Sequence, residues 1–185
     1  MDKIIITVLG QDRPGIISMI SNILFELECN LENVNQMILQ GQFAGFFIVE
    51  PPSGADIETL KENIMHRTLN TGLSIHINSF CDTDSGQDIT MQGETFLITT
   101  IGPDQKGLVA QISAVIAEYK ANIEDLKAVF KGGMDPESNI MSYRVFITDD
   151  IDRKALFNAL RQKAKELDLD IRIQHRNIFD AINKI

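Results

Sequence analysis

The 185-residue chain contains the same unit twice, with the second copy displaced by 92 positions. The ten identical positions are Ile6, Thr7, Gly10, Asp12, Gly15, Ile20, Ser21, Glu26, Asn30 and Glu32, matched by Ile98, Thr99, Gly102, Asp104, Gly107, Ile112, Ser113, Glu118, Asn122 and Glu124. A unit of about 90 residues is just large enough to hold its own hydrophobic core. The repeat therefore predicts two domains, at 1–81 and 94–185, joined by a polar linker at 82–93.

Hydrophobic periodicity predicts the same six elements in each unit, in the order β-α-β-β-α-β. In the first unit, apolar residues at helical spacing follow Asp12 and Asp56, which we interpret as N-caps, and the second of these helices is expected to turn Ile57, Leu60, Ile64 and Leu69 inward. The predicted strands are 4–9, 31–40, 43–49 and 73–77, then 95–101, 123–131, 140–148 and 169–174, with second-unit helices at 108–120 and 152–166. A short C-terminal helix is predicted from Arg176 to Ile185. This order is the ferredoxin-like pattern of the α+β class.

Charge and composition exclude several classes of function. The net charge is −9, and residues 1–86 carry 11 acidic and 4 basic residues, so the first half lacks the basic surface that phosphate neutralisation needs. We therefore expect no direct binding to nucleic acid. The N-terminus has no basic, apolar signal pattern and no segment suits a membrane span, so a cytoplasmic location is expected. Neither the two cysteines nor the three histidines have metal-ligand spacing, and we expect no metal, no cofactor and no catalysis.

The turn between the first strand and first helix is the strongest candidate for a binding site in each unit. A helix N-terminus presents unpaired N–H groups and a partial positive charge, which suit a carboxylate. Gly15 and Gly107 would let a ligand approach the backbone, and Asp12 and Asp104 would face its ammonium group. We expect Asn30 and Asn122, at the start of the second strand, to lie near the same end of the sheet. A free amino acid is the simplest molecule that carries both charges on one carbon. The plainer interpretation is a capping aspartate and a turn glycine, kept by duplication because they support folding.

The residues of this turn also resemble a known family. Gly10-Gln11-Asp12-Arg13-Pro14-Gly15-Ile16-Ile17 and Cys29-Asn30-Leu31-Glu32-Asn33 look like the ACT domain, a small regulatory module that typically binds amino acids. Asp104-Gln105-Lys106-Gly107-Leu108-Val109 and Ala121-Asn122-Ile123-Glu124-Asp125 look like a second one, with Lys106 where Pro14 stands. The two units together resemble the glycine cleavage system transcriptional repressor group.

The resemblance implies where an effector would bind and what the protein would do. It points to ligand-binding residues Asp12, Gly15, Ile16, Asn30 and Leu31 in the first unit, and Asp104, Gly107, Leu108, Asn122 and Ile123 in the second. It also implies that such sites often form between two ACT units. The function expected is a non-enzymatic amino-acid sensor that acts on transcription or metabolism through a protein partner, with homo-oligomers likewise expected.

Two alternatives remain open on the sequence. The chain would be an assembly module whose sites no longer bind a ligand, using its sheet edges for association. Less favoured is a regulatory fragment of an enzyme, since related ACT units precede the hydrolase domain of formyltetrahydrofolate deformylase. Neither unit has a convergent acid–base set that would support catalysis by the chain itself.

Overall fold

The structure, a computed structural model, describes residues 3–80, 92–129 and 139–177. It divides into two compact units, Met1–Asp88 and Ile89–Ile185. The first contains β1 (Lys3–Gln11), α1 (Ile16–Glu26), β2 (Asn30–Leu39), β3 (Gln42–Glu50), α2 (Ile57–Arg67) and β4 (Ser74–Phe80). The second contains β5 (Gly93–Gly102), α3 (Leu108–Glu118), β6 (Asn122–Val129), β7 (Asn139–Thr148), α4 (Arg153–Glu166) and β8 (Asp170–His175). Both units are α+β, with the ferredoxin-like order expected from the sequence.

Each unit is one antiparallel four-stranded sheet with its two helices packed on one face. The strand orders are β2-β3-β1-β4 and β6-β7-β5-β8, so the second and fourth strand of each unit lie at the sheet edges. Alternate residues of β1 are buried, because successive side chains of a strand point to opposite faces. The helix-facing ones form the first core with Ile20 and Leu24 of α1 and Leu60 and Ile64 of α2.

The second unit has a separate core built on the same plan. Ile98 of β5, Tyr143 and Val145 of β7, Ile112 of α3 and Leu160 of α4 are all fully buried. Burial in this core raises the pKa of Tyr143 to about 12. Its phenol is therefore a neutral core group at physiological pH.

Two predictions about the helices are corrected by the structure. Asp56 does cap α2, since its carboxylate accepts a hydrogen bond from the Thr59 backbone N–H at 3.2 Å. Asp12 caps nothing, because α1 begins at Ile16 and its N-cap residue is Gly15. Leu69 does not face the core: it lies beyond the end of α2 and is 62% exposed.

Two other predictions fall largely outside the described residues. Most of the predicted linker at 82–93 lies within residues 81–91, which are not among the described residues. Of its last two residues, Gln92 and Gly93, the second belongs to β5. The C-terminal helix, Arg176 to Ile185, lies outside them from residue 178 onward. The linker bounds and this helix remain predictions.

Candidate functional site

The first helix of each unit begins without a side-chain cap. The N-cap residues are Gly15, at φ 94°, and Gly107, at φ 85°, and among the described residues no side chain caps α1 or α3 with a hydrogen bond. The second helices differ: Asp56 caps α2, and Asp152 caps α4 by accepting from the Ala155 N–H at 3.0 Å. Since the first N–H groups of a helix have no acceptor within the helix, α1 and α3 each leave donors open to a ligand.

Left-handed φ values explain why glycine occupies the two N-cap positions. A side chain there would be strained by the backbone conformation, although a Cβ added at Gly15 would meet no atom within 4 Å. The space next to Gly15 is therefore open, and an approaching molecule can reach the backbone.

Asp12 lies beside this open helix start and is held by its backbone. Its N–H donates to the carbonyl of Gly41 at 2.8 Å, which fastens the turn to the β2–β3 hairpin. Its carboxylate makes no hydrogen bond or ion pair within the described part of the chain. A carboxylate next to uncapped N–H donors provides both charges needed to bind a zwitterion.

A surface depression of about 380 Å³ brings these groups together in the first unit. Its lining residues come from the turn, from the start of α1 and from the neighbouring strands: Asp12, Arg13, Pro14, Gly15, Ile16, Ile17, Ser18, Gln36, Ile38 and Phe43. Three of the five residues expected in this unit, Asp12, Gly15 and Ile16, therefore line one depression. Ile16 as a whole residue is only 3% exposed, so its side chain belongs to the core.

The second unit repeats the turn with different neighbours. Leu108 is 1% exposed and, like Ile16, belongs to the core. Asn139 pairs with Gly102 across the second sheet, just as Phe43 pairs with Gly10 across the first. The Asn139 residue is buried. A carboxamide thus replaces a phenyl ring beside the second turn.

The remaining predicted residues lie at the other end of each sheet. Asn30 pairs with Glu50 at one end of β3, whereas Gln11, which precedes Asp12, pairs with Gln42 at the other. Eight residues of strand separate these rows, a distance of about 27 Å. The expectation that the asparagine and the turn share one end of the sheet is wrong.

The second unit has the same geometry. Asn122 pairs with Phe146 and Gly102 pairs with Asn139, so Asn122 and Ile123 are likewise remote from Asp104. Within one unit, no single amino acid can touch both groups of residues.

A polar contact that the sequence pattern did not predict holds both turns in place. The Arg13 guanidinium donates to the Thr71 carbonyl at 2.6 Å, and the Gln105 side chain donates to the Leu167 carbonyl at 2.7 Å. Positions 13 and 105 are equivalent in the repeat, and so are 71 and 167. A long side chain with an N–H donor at the same place in both copies was the signal that could have revealed this brace.

Gly10 and Gly102 are explained by packing alone. A Cβ at Gly10 would lie 2.6 Å from Leu73 Cδ2 and 3.1 Å from the Gly72 carbonyl, and one at Gly102 would lie 2.7 Å from Leu169 Cδ2. Only glycine allows the last strand of the unit to begin so close to the first. These two shared glycines support the fold and need no ligand to explain them.

Cys29, the cysteine within the described ranges, is a partly buried free thiol. Burial raises its pKa, which disfavours the reactive thiolate. The residues described, 3–80, 92–129 and 139–177, contain no group of three or more metal-ligating side chains. Over the same ranges, no helix has the length and apolar character required to cross a bilayer.

Two compact units, each with a glycine-initiated first helix and an aspartate in the preceding turn, define a protein of tandem ferredoxin-like modules with a repeated candidate site. The family follows from a direct match: the chain belongs to the ACT domain family, whose model matches residues 2–78 and 94–174. ACT domains are regulatory modules that typically bind amino acids, and this chain is similar to them across both units.

Curated relatives correspond to half of this chain. The UPF0237 protein of Methanopyrus kandleri is 31% identical over 90 residues, 48% of this chain and 96% of that protein. The UPF0237 protein of Methanosarcina acetivorans is 28% identical over 95 residues, 51% of this chain and 100% of that protein. These relatives are therefore about as long as one unit.

Two solved structures share the fold over nearly the full length. An unknown protein from Galdieria sulphuraria has a TM-score of 0.73 at 22% identity, with 94% of this chain and 98% of that chain covered. A glycine cleavage system transcriptional repressor-like protein has a TM-score of 0.69 at 14% identity, with 94% and 96% covered. At these identities the two structures support the fold and not a shared function.

Proposed function

We propose that this chain is a non-catalytic amino-acid sensor that binds its effector at the β1–α1 and β5–α3 turns. The observation that carries the proposal is the uncapped start of α1 and α3, repeated in both units beside Asp12 and Asp104, while α2 and α4 are capped by aspartates. The ligand carboxylate would accept from the first N–H groups of the helix, and its ammonium group would face the aspartate. The family supports a regulatory role of this kind.

Asn30 and Leu31, which are remote from the turn of their own unit, would contribute to the site of a second copy of the chain. β2 is an edge strand whose residues are exposed apart from Leu31, which is partly buried. Antiparallel pairing of β2 with β2 of a second copy would place Asn30 of one copy beside Leu39 of the other. The depression at Asp12 reaches Ile38 on β2, so Asn30 and Leu31 would then complete the partner's site. Asn122 and Ile123 on the edge strand β6 would act in the same way.

Regulation would follow from linkage. An amino acid that binds a site completed by two copies favours the assembled state, by no more than its difference in affinity between the states. We propose that this shift is read by a protein partner in the cytoplasm that controls transcription or metabolism. The acidic first half of the sequence supports an indirect effect on transcription rather than direct contact with DNA.

Calorimetric titration with the twenty amino acids, beginning with glycine and serine, tests the proposal. We expect saturable binding that the double variant Asp12→Ala/Asp104→Ala weakens about tenfold or more, because each variant removes a charge-assisted contact. Glu62→Ala is the matched control, since Glu62 is an exposed carboxylate on α2 and is not part of either turn. No binding at several millimolar by a folded chain would contradict the proposal and favour the ligand-free assembly module instead.

A further inference from the structure

A second depression, of about 680 Å³, lies in the second unit between the end of β5 and the C-terminal end of α4. Gly102 and Pro103 form one side of it. The other sides carry four charged residues: Arg161, Lys165, Asp168 and Asp170. Pro103 directly precedes Asp104 in the chain, but the turn residues Asp104, Gly107 and Leu108 do not line this depression.

The four charged side chains surround the depression without pairing with one another. Arg161 and Lys165 lie on successive turns of α4, Asp168 lies in the α4–β8 turn and Asp170 begins β8. Within the described ranges no ion pair joins any of the four, and the Arg161 guanidinium donates a hydrogen bond only to the Asn158 side chain, at 3.4 Å. Two cations and two anions therefore face a shared space with their charges available.

The backbone that carries the two carboxylates is held firmly. Gln105 donates to the Leu167 carbonyl at 2.7 Å, and the Leu169 N–H donates to the Ala164 carbonyl at 2.8 Å. The lack of a side chain on Gly102 lets β5 lie directly against Asp168 and Leu169. The backbone of the two aspartates is therefore fixed before a ligand binds, which lowers the entropy cost of binding on that side of the depression.

The first unit provides an internal comparison. Its equivalent positions, displaced by 96, are Met65, Leu69, Gly72 and Ser74, none of which is charged. Met65 is 47% exposed and Leu69 is 62% exposed, so the fold tolerates apolar side chains there. The fold itself therefore does not require charges at these positions, and all four charges are particular to the second unit.

We propose that this depression is a separate binding site for a zwitterion of dipeptide size. A simple anion would be repelled by Asp168 and Asp170, and a simple cation by Arg161 and Lys165, whereas a zwitterion matches both pairs. The volume falls in the range of small-molecule sites, and leaves room for a ligand larger than a single small amino acid. The ligand's carboxylate lies against Arg161 and Lys165, and its ammonium group lies against the two aspartates.

Calorimetry on the full chain with glycylglycine as the probe tests this site, with acetate and methylammonium as single-charge comparisons. We expect saturable binding of glycylglycine and none of the other two. The double variant Arg161→Met/Lys165→Leu, which introduces the residues of the first unit, should weaken binding about tenfold or more. Lys154→Met is the matched control, since Lys154 is exposed on the same helix but does not line the depression.

The test of this depression can be separated from the test of the proposed amino-acid sites at the two turns. Asp12→Ala/Asp104→Ala should leave glycylglycine binding unchanged, and Arg161→Met/Lys165→Leu should leave binding of the single amino acid unchanged. If acetate binds as well as glycylglycine, the site is a simple anion site and the proposal is overturned. It is also overturned if nothing binds to the folded chain, or if Asp104→Ala removes glycylglycine binding.

Discussion

The two pairs of glycines shared by the repeat have different physical roles at the residue scale. Gly15 and Gly107 adopt left-handed φ values, and an added Cβ would meet no atom within 4 Å at Gly15 and only the Gln111 side chain, at 3.9 Å, at Gly107. Gly10 and Gly102 instead lie against a neighbouring backbone. The sequence pattern Gly-x-Asp-x-x-Gly does not distinguish these cases, because close approach depends on Leu73 and Leu169, which are distant in the chain. The pattern also predicted that Asp12 caps α1, whereas the helix begins at Ile16 and its N-cap residue is Gly15.

Substituting each glycine by alanine separates the two roles. Gly10→Ala should lower the free energy of unfolding by about 2 kcal/mol, because the new methyl group overlaps Leu73 and the Gly72 carbonyl. Gly15→Ala should lower it by about 1 kcal/mol, through backbone strain alone. Urea unfolding of the two variants measures the difference. A larger loss for Gly15→Ala than for Gly10→Ala would contradict this account.

The Asp56 cap predicts a pH-dependent contribution to stability. Hydrogen bonds from the Thr59 hydroxyl and backbone lower the pKa of Asp56 below 3.8. Because the folded-state pKa is the lower one, the stabilisation is present above pH 3.8 and is lost as the pH falls through the lowered pKa. Asp56→Ala should therefore lower the melting temperature near neutral pH. The decrease should be smaller at a pH far below 3.8.

Thermal melts at both pH values, with Glu62→Ala as the charge control, check this prediction. Glu62 lies on the same helix and does not cap it. An Asp56→Ala effect that stays the same at both pH values would show that the cap does not act through the ionised carboxylate.

At the scale of elements, the sequence predicted every described strand and helix, because hydrophobic periodicity is strong in both units. β1 runs to Gln11 rather than residue 9, since Gly10 and Gln11 still pair with Phe43 and Gln42 of β3. The largest error concerned Asn30, which was placed at the wrong end of the sheet. The element order already contained the answer: a helix that returns the chain along the sheet makes β2 start at the end where β1 starts.

The exposed edge strand β2 is the element on which the proposed assembly depends. Its last part, Met37-Ile38-Leu39, is exposed and uncharged, which favours pairing with another strand. Leu39→Lys should shift the chain toward the monomer, because it replaces an exposed apolar side chain on the paired edge with a hydrated cation. Sedimentation velocity measures this shift, with Phe25→Lys as the control, because Phe25 is 79% exposed on α1 and is not part of the edge strand. Equal association of Leu39→Lys and the unchanged chain would contradict pairing through β2.

At the scale of the whole molecule, duplication predicted two units with one plan, and the sequence showed one divergence at the turns themselves, Lys106 where Pro14 stands. Phe43 and Asn139 hold the same register but present a phenyl ring and a carboxamide beside their turns. Met65 and Leu69 are likewise replaced by Arg161 and Lys165. A side chain's place relative to a site depends on strand register and packing, which the order of elements does not specify. We therefore expect the two turns to bind a ligand with unequal affinity.

Amide chemical shifts of the isotope-labelled full chain, recorded while the best-binding amino acid is added, test the central claim most directly. The account predicts saturable shifts at the start of α1, residues 15–18, and at the start of α3, residues 107–110, with different midpoints. Asp12→Ala should remove the first set and Asp104→Ala the second. Shifts confined to other parts of the chain, or no shifts at several millimolar ligand, would contradict the claim that the uncapped helices are the sensor sites.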